Sequence, residues 1–308
     1  MDRPRILVIG SSNTDLTVRL PRLPSPGETV LGGQLMTAAG GKGANQAVAA
    51  ARAGGEVTFL GRVGRDAYGA AALDGLRAEG IDVGRVVVDD EAPSGVALIF
   101  VGAEGENMIA VAGGANERLT PADLDAARGC FAQADVVLLQ LETPLAAVEH
   151  AVRLAAEEGV RVILNPAPAQ PLPDDLLAGV AVLTPNEHEL ALLSGRKVAD
   201  ETALADAARA LRDGGARAVV VTLGDRGVWL ASDDADSLVP TQPVAAVDTV
   251  GAGDAFNGAL AVAISEGRPL ADAVRFANAA AAVSVTRHGA QPSAPTREEI
   301  ERQLAASE

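Results

Sequence analysis

The sequence predicts an α/β protein in which helices cover both faces of a mostly parallel central sheet, forming a three-layer αβα sandwich. Short apolar runs rich in Val, Ile and Leu alternate along the chain with Ala-rich segments of helical periodicity. The apolar runs are continuous, which is typical of parallel strands buried on both faces. With 308 residues, 48% of them hydrophobic, the chain is long enough to form a full core, and we predict a single domain over residues 1–308.

Six strands are predicted at the continuous apolar runs, which are residues 6–9, 57–60, 136–141, 160–164, 180–184 and 219–223, and another strand starts at Val228. Eight helices are predicted where apolar residues recur at helical spacing. They are residues 44–53, 69–79, 121–129, 144–158, 187–194, 202–213, 254–266 and 270–286. In the seventh, Phe256, Leu260 and Ile264 share one face, and the pattern ends at Gly267.

Two segments interrupt the alternation. Residues 16–35 carry three prolines and several glycines, and residues 86–111 have a strand-turn-strand pattern at 95–101 and 107–111. We predict that they form a small antiparallel β lid beside the main sheet. Surface loops with an edge hairpin remain an alternative.

Composition excludes several classes of function. A formal net charge of −16 argues against a nucleic-acid partner, which needs a basic surface, although ATP can still bind through local amides and a metal ion. A single cysteine excludes a disulfide framework, and three scattered histidines make no zinc pattern. No signal peptide or membrane span is recognisable, so we predict a soluble, cytoplasmic protein.

The segment 246–258 carries the main functional signal. A β-branched run ends at Thr249, Gly251 and Gly253 follow around Ala252, and a helix then begins. Free backbone N–H groups at the positive end of a helix form a ready phosphate site. Asp254 would repel phosphate, so its place there suggests a general base that takes a proton from an attacking hydroxyl. The alternative, that Asp254 only caps the helix, stays open at this point.

A second glycine-rich turn opens the first helix. Gly40, Gly41 and Gly43 surround Lys42, and Asn45 follows. It is not a Walker A loop, because glycine replaces the Ser or Thr after the lysine. The turn suits a polyhydroxy ligand approaching the backbone closely, and a solvated surface turn is the alternative.

Polar residues also follow predicted strands, where ligands of open α/β sheets bind. Asn13 and Asp15 follow the first strand and are spaced to hold vicinal hydroxyls, and Glu142 follows the third. Asn186 and Glu189 lie three residues apart at a helix start, a spacing that suits either a hydrated Mg²⁺ or an N-terminal capping box. Residues 222–227 form a Gly-containing turn that would let a nucleotide pass closely.

Seven motifs occur in this order along the chain: Asn13-Thr14-Asp15, Gly41-Lys42-Gly43-Ala44-Asn45-Gln46, Gln140-Leu141-Glu142, Asn186-x-x-Glu189, Thr222-Leu223-Gly224-x-x-Gly227, Asp248-Thr249-x-Gly251-Ala252-Gly253-Asp254 and Thr286-Arg287-His288-Gly289-Ala290-Gln291-Pro292-Ser293. Together they resemble the ribokinase-like group of the PfkB-type carbohydrate kinases over essentially the whole chain. The resemblance implies the ribokinase-like form of the sandwich and an ATP-dependent phosphorylation of D-ribose at O5, with Asp254 as base and Gly251, Ala252 and Gly253 as the anion hole.

The resemblance also implies ligand sets. The sugar set is Asn13, Thr14, Asp15, Gly41, Lys42, Gly43, Ala44, Asn45, Glu142 and Asp254. The ATP set is Asn186, Thr222, Leu223, Gly224, Asp225, Arg226, Gly227, Gly253, Asp254 and Asn278, and Glu189 would act on Mg²⁺ through water. A monovalent cation, K⁺, would lie near Asp248, Val250, Ser284, Arg287, Gly289 and Ser293. The lid would pair two subunits into a homodimer.

Three other functions are weighed against this one. A kinase of the same family could act on deoxyribose, fructose or a nucleoside, because the sequence gives no pocket volume. A sugar- or nucleotide-binding protein without chemistry would leave Asp254 unexplained. A dinucleotide oxidoreductase lacks its fingerprint, because Phe256 occupies the last glycine position of G-x-G-x-x-G.

Overall fold

The computed structural model describes residues 3–306. Its strands are β1 (Arg5–Ile9), β2 (Asn13–Arg19), β3 (Gln34–Gly40), β4 (Glu56–Leu60), β5 (Arg62–Gly64), β6 (Val87–Asp89), β7 (Gly95–Val101), β8 (Asn107–Ala112), β9 (Val136–Leu139), β10 (Arg161–Leu164), β11 (Val182–Leu183), β12 (Val219–Thr222), β13 (Val228–Ala231) and β14 (Asp236–Val239). Its helices are α1 (Lys42–Arg52), α2 (Ala67–Ala78), α3 (Pro121–Ala126), α4 (Arg128–Gln133), α5 (Leu145–Glu157), α6 (Asp174–Ala178), α7 (Glu187–Ser194), α8 (Glu201–Asp213), α9 (Ala252–Ser265), α10 (Leu270–Ser284) and α11 (Arg297–Ala305). Short 3₁₀ turns lie at Gly114–Arg118 and Gly224–Arg226.

The central sheet has eight strands in the order β14-β13-β12-β11-β10-β9-β1-β4. All neighbours from β4 to β12 are parallel, and β13 and β14 add an antiparallel edge. This confirms the predicted α/β architecture with a mostly parallel sheet.

Helices pack on both faces of this sheet, as the continuous apolar strands require. Along β1, Ile6 and Val8 join the cluster under α1, α9 and α10, whereas Leu7 and Ile9 join the cluster under α5 and α8. Each face of the strand therefore buries its own set of side chains, which gives the three layers.

Differences from the predicted elements are local. The predicted helix at 121–129 is two helices, α3 and α4, which meet at Ala127. The strand predicted at 180–184 is paired only at Val182–Leu183. The five-residue α6 and the C-terminal α11 were not predicted, because the first is too short for a period and the second is mostly charged.

A separate four-stranded sheet has the order β3-β2-β7-β8. Its outer pairs are antiparallel, while the central β2–β7 pair is parallel. The predicted lid segments, 16–35 and 86–111, supply much of this sheet, but β2 starts at Asn13 and β3 runs on to Gly40. Only three residues therefore separate this sheet from the end of β1, and the sheet leads directly into α1.

Helices α1 and α9 pack unusually closely. A Cβ on Gly258 would lie 2.6 Å from both Ala49 Cβ and Ala50 N, so only glycine fits at this crossing. The contact fixes the start of α1 next to the start of α9. Within residues 3–306, no helix combines the length and the apolar character needed to cross a bilayer.

Candidate active site

The start of α9 presents backbone amides beside open space, and one of them, Ala252 N, also donates to Thr249 O at 3.3 Å. Gly251 precedes the helix with a φ of 77°, a left-handed conformation that favours glycine. A Cβ there would also lie 2.7 Å from Ala290 Cα. At Gly253, in contrast, a Cβ would meet nothing within 4 Å. The two glycines therefore serve different purposes. The backbone conformation requires glycine at position 251, whereas glycine at position 253 leaves an open space beside the helix start.

Asp254 lies in the first turn of α9 and is buried. Its Oδ2 accepts a hydrogen bond from Asn45 Nδ2 and its Oδ1 accepts one from Gln46 Nε2, both at 3.0 Å. The hypothesis that Asp254 only caps its helix is wrong, because the N-cap is Gly251 and the carboxylate is held by side-chain amides of α1.

The pKa of Asp254 is raised, chiefly by burial, and Glu142 adds to the rise. Lys42, Asn45 and Gln46 act in the opposite direction and lower it. A raised pKa makes the carboxylate a better proton acceptor, and the hydrogen bonds from the Asn45 and Gln46 side chains hold it in place.

A second carboxylate, that of the half-buried Asp15, lies on β2 beside this cluster. Desolvation raises its pKa to about 6, and the charges of Glu142 and Asp254 contribute to the shift. Gly40 on β3 pairs with Asn13 and lies diagonally beside Asp15, and a Cβ on Gly40 would clash with Asp15 Oδ2. The glycine before the turn therefore leaves the room that the Asp15 carboxylate occupies.

Glu142 ties the end of β1 to the start of α1. Its Oε2 accepts hydrogen bonds from Ser11 Oγ at 2.5 Å and from Lys42 N at 3.0 Å. Gly43 packs against the same backbone, since a Cβ there would lie 2.6 Å from Ser11 N. Ala44 N donates to Ser11 O at 2.9 Å, so the whole turn is held against β1.

Asn13 and Thr14, at the start of β2, are buried. Asn13 Oδ1 accepts a hydrogen bond from Asn116 Nδ2 at 2.8 Å, and Asn116 Oδ1 accepts one from Ser12 N at 3.0 Å. Gly41, with a φ of 88°, lies so close that a Cβ would be 2.7 Å from Asn13 N. Sequence reasoning missed Asn116, which comes from a distant 3₁₀ turn that carries no motif.

A cavity of about 220 Å³ joins the two glycine-rich turns to the strand ends. It is lined by Lys42, Asn165, Ala167, Thr184, Asn186, Glu189, Thr222, Gly251, Gly253, Asp254 and Asn257. The structure thus brings the predicted base and anion-hole glycines together with members of the predicted ATP set.

The capping box predicted as one alternative for Asn186 and Glu189 is present. Asn186 Oδ1 accepts from Glu189 N, and Glu189 Oε2 accepts from Asn186 N, both at 2.8 Å. Burial raises the pKa of Glu189. Its Oε2 is engaged, and the side chain still lines the polar cavity, so the residue fits a role toward a hydrated Mg²⁺ as well.

Other members of the ATP set lie outside this cavity lining. Asp225 and Arg226 are exposed, and Arg226 pairs with Glu187 at 2.6 Å. Leu223 is buried, and its N–H donates to Gly227 O, which closes the turn around Gly224. Asn278 lines a second cavity of about 440 Å³ between α10 and β14, and its Nδ2 donates to Val239 O at 3.3 Å.

Two of the predicted monovalent-cation residues, Val250 and Gly289, contact a third, Asp248. Its Oδ1 accepts from Val250 N at 3.0 Å and its Oδ2 from Gly289 N at 2.9 Å, so one carboxylate joins two loops. Ser293 Oγ donates to Ala290 O at 2.9 Å in the second loop, which follows Ser284 at the end of α10. The Arg287 side chain instead pairs with Glu299 at 2.5 Å.

The donor set here suits a monovalent cation better than a transition metal. Within the described residues, no group of three or more His, Cys, Asp or Glu side chains is arranged to hold a metal ion. Asp248 supplies a single carboxylate whose oxygens accept from two loop N–H groups, an oxygen donor of low charge that is compatible with K⁺.

A chain of buried polar side chains, four amides and one hydroxyl, links the candidate base to the central sheet. Sequence reasoning did not assign these residues, which are Gln46, Gln140, Asn165, Thr184 and Asn257. Asn165 and Thr184 each directly follow a strand of the parallel sheet, so the rule that ligands bind at carboxyl ends would have found them. Gln46 belongs to the Gly41–Gln46 motif, but nothing in the sequence indicated that its side chain contacts Asp254.

Comparison with known proteins agrees with this geometry. The family described as pfkB family carbohydrate kinase matches residues 3–297. The chain belongs to this family. A ribokinase from Haemophilus influenzae is 43% identical over 297 residues, covering 96% of this chain and 97% of that one.

Two further relatives bear on the substrate. The structure of Arabidopsis thaliana ribokinase complexed with ribose and ATP is 34% identical, has a TM-score of 0.92, and covers 99% of both chains. A deoxyribokinase from Salmonella typhi is 38% identical, covering 98% of this chain and 99% of that one. Membership of the family and the ribokinase-like fold are therefore established, and the relatives differ in the sugar named.

Proposed function

We propose that this protein is an ATP-dependent ribokinase, which transfers the γ-phosphoryl group of ATP to O5 of D-ribose and releases ADP and D-ribose 5-phosphate. The observation that carries the proposal is Asp254: a buried carboxylate beside the backbone amides at the start of α9, in a cavity reached by both glycine-rich turns. Ribokinases similar over nearly the full chain support the choice of sugar.

Asp254 acts as the general base in this proposal. It removes the proton from the 5-hydroxyl while O5 attacks phosphorus and the bond to the ADP oxygen breaks. Its burial raises its pKa, and the Asn45 and Gln46 amides hold it in place. The raised pKa favours proton acceptance, and the two hydrogen bonds fix the orientation of the carboxylate.

The amides of Gly251, Ala252 and Gly253 form the anion hole. They lie at the positive end of α9, where partial charge stabilises the developing negative charge on the phosphoryl oxygens. The open space at Gly253 leaves room for that group. Lys42 lines the same cavity and supplies a further positive charge.

The sugar lies between β2 and the start of α1. Its hydroxyls would hydrogen-bond to the side chains of Asn13, Asp15, Lys42, Asn45 and Glu142. The backbone around it would be that of Thr14, Gly41, Gly43 and Ala44. Two carboxylates and two amides in a nearly aromatic-free protein favour binding by hydrogen bonds over ring stacking.

The nucleotide extends from the cavity toward the turn at 222–227 and Asn278. Glu189 would hold Mg²⁺ through water, and the ion would neutralise part of the phosphate charge. Asp248 and the loop at Gly289 would hold K⁺, whose charge would help to fix the loop that leads into the anion hole. Asp248 already bridges both loops, which supports this assignment.

The four-stranded sheet acts as the lid and pairs two copies into a homodimer. Leu98 and Met108 on one face of this sheet are 44% and 52% exposed, and Ile109 and Val111 on the other face are 57% and 55% exposed. A second copy would cover one of these apolar faces. Closure over the sugar would exclude water and limit ATP hydrolysis. Because the reaction consumes ATP, we propose the cytoplasm as its location.

An ADP-release assay over a panel of sugars, with and without K⁺, tests the proposal. D-ribose is expected to give the highest kcat/KM and Asp254→Asn to lower kcat by about 10²–10⁴-fold or more, while ribose binding by calorimetry persists. Wild-type turnover in that variant would remove Asp254 from the mechanism. Ribose binding without ADP release would instead identify a binding protein.

Deoxyribose is the second candidate, favoured by the Salmonella typhi deoxyribokinase. The two sugars differ only in the 2-hydroxyl. A site built to hydrogen-bond that hydroxyl rejects its absence strongly, because buried polar partners are left unpaired. A higher kcat/KM for deoxyribose than for ribose in the same panel would replace the first assignment.

A further inference from the structure

The Asp254 carboxylate is held by a residue that never reaches the substrate space. Gln46 is fully buried, whereas Asn45, its neighbour on α1, retains some exposure. Gln46 Nε2 donates one hydrogen bond to Asp254 Oδ1 at 3.0 Å and a second to Asn165 Oδ1 at 3.1 Å. Both of its amide hydrogens are therefore used, one of them on the candidate base.

The orientation of the Gln46 side-chain amide is fixed by the far end of the hydrogen-bond chain that it belongs to. Asn165 Nδ2 donates to Thr184 O at 3.0 Å, and a backbone carbonyl can only accept. Asn165 must then turn its oxygen toward Gln46, which in turn must present its N–H₂. On the other side, Gln46 Oε1 accepts from Gln140 Nε2 at 2.6 Å. A flipped Gln46 would place its oxygen against two acceptors.

We propose that Gln46 is a positioning residue of the kinase reaction: a hydrogen-bond chain anchored on the Thr184 carbonyl makes it present N–H to Asp254, which keeps that carboxylate ionised and oriented for proton transfer. This rests on the proposed function, in which Asp254 takes the proton from the sugar hydroxyl. Gln46 contacts neither substrate and acts only through Asp254.

Burial works against the ionised carboxylate, and other charges surround it. Lys42 from α1 favours ionisation, whereas Glu142 after β9 and Asp15 on β2 oppose it. A hydrogen bond to a charged group counts for more than one between neutral groups, so the loss of the Gln46 donor should raise the pKa of the base. The three charged neighbours stay unchanged in a Gln46 variant, so a shift is attributable to the amide.

The test is the pH profile of kcat/KM for wild type, Gln46→Met and Gln140→Met. Gln46→Met keeps the side-chain length and removes the donor, and its acidic limb is expected to move to higher pH by about one to two units. Gln140→Met disturbs the same buried amides and leaves the bond to Asp254, so its limb should stay within about 0.3 units of wild type. The deficit of Gln46→Met should therefore be largest at low pH.

An unmoved limb in Gln46→Met, or an equal shift in Gln140→Met, overturns the proposal, because a merely structural role would lower activity at every pH alike. If Gln46→Met does not fold, Gln46→Asn withdraws the amide from Asp254 while staying polar, and the same shift is expected. Asp254→Asn is assayed alongside. If Asp254→Asn is inactive and the acidic limb of Gln46→Met does not move, only the role of Gln46 is overturned. If Asp254→Asn is fully active, the proposed mechanism itself is overturned.

Discussion

Gly251 and Gly253 lie two residues apart in one turn, and the structure predicts opposite effects when each is replaced by alanine. At Gly253 the added methyl group meets no atom within 4 Å, and the residue is already helical. Replacing a helical glycine with alanine stabilises a protein by about 0.5–1 kcal/mol. We therefore expect Gly253→Ala to unfold at an equal or slightly higher temperature than wild type.

The same methyl group should damage catalysis. Gly253 lines the cavity beside Asp254, and the open space is where the phosphoryl group would lie. Displacing one anion-hole contact costs on the order of 10²–10³ in rate, so we expect kcat to fall by about 10–10³-fold with a smaller change in the KM for ribose.

Gly251→Ala is the matched control. Its φ of 77° alone costs alanine about 1–2 kcal/mol, and the 2.7 Å approach to Ala290 Cα adds to this. Urea unfolding and the ADP-release assay on both variants separate the two effects. A fully active Gly253→Ala would show that the open space is not used, and a Gly251→Ala as stable as wild type would contradict the backbone argument.

Three further predictions follow from the site and the lid. Asp15→Asn should be more stable than wild type at pH 7 by about 1–2 kcal/mol after allowance for solvent screening. Because the folded-state pKa of Asp15 is raised from 3.8 to about 6, its contribution to stability is present below about pH 4 and lost as the pH rises through 6, so the two unfolding curves should converge at pH 4. Asn116→Leu removes the donor that holds Asn13, and should raise the KM for ribose by about tenfold with little change in the KM for ATP, as measured by initial rates. Met108→Glu and Ile109→Glu place a charge on opposite faces of the lid sheet, and sedimentation should find a monomer for the variant whose face meets the second copy. A monomeric wild type would contradict the dimer.

The fold was largely predictable because its strongest signals are local. A strand such as β1 is apolar on both faces, and this pattern alone requires helical layers above and below. The features of the fold that the sequence did not predict depend on contacts between distant segments. The two lid segments showed no sign of the parallel β2–β7 pairing, because register between strands about 80 residues apart is set by packing rather than by sequence period.

The candidate site divides in the same way. Gly251, Asp254 and Lys42 could be found because glycine and charge in a short turn carry a physical meaning of their own. Asn116 and Gln46 could not, because an amide matters only through the partner that the fold gives it. Asn116 reaches Asn13 across 103 residues, and Gln46 reaches Asp254 across 208.

The close crossing of α1 and α9 at Gly258 restricts how this enzyme can move. Because a glycine and two alanines leave no slack between these helices, Asn45 and Gln46 cannot separate from Asp254 without breaking the packing. Asn45, which would bind the sugar, and Asp254 therefore belong to one rigid block, so opening for substrate entry would have to come from the four-stranded sheet β3-β2-β7-β8. A bulkier residue at position 258 would leave each half intact and spoil their alignment.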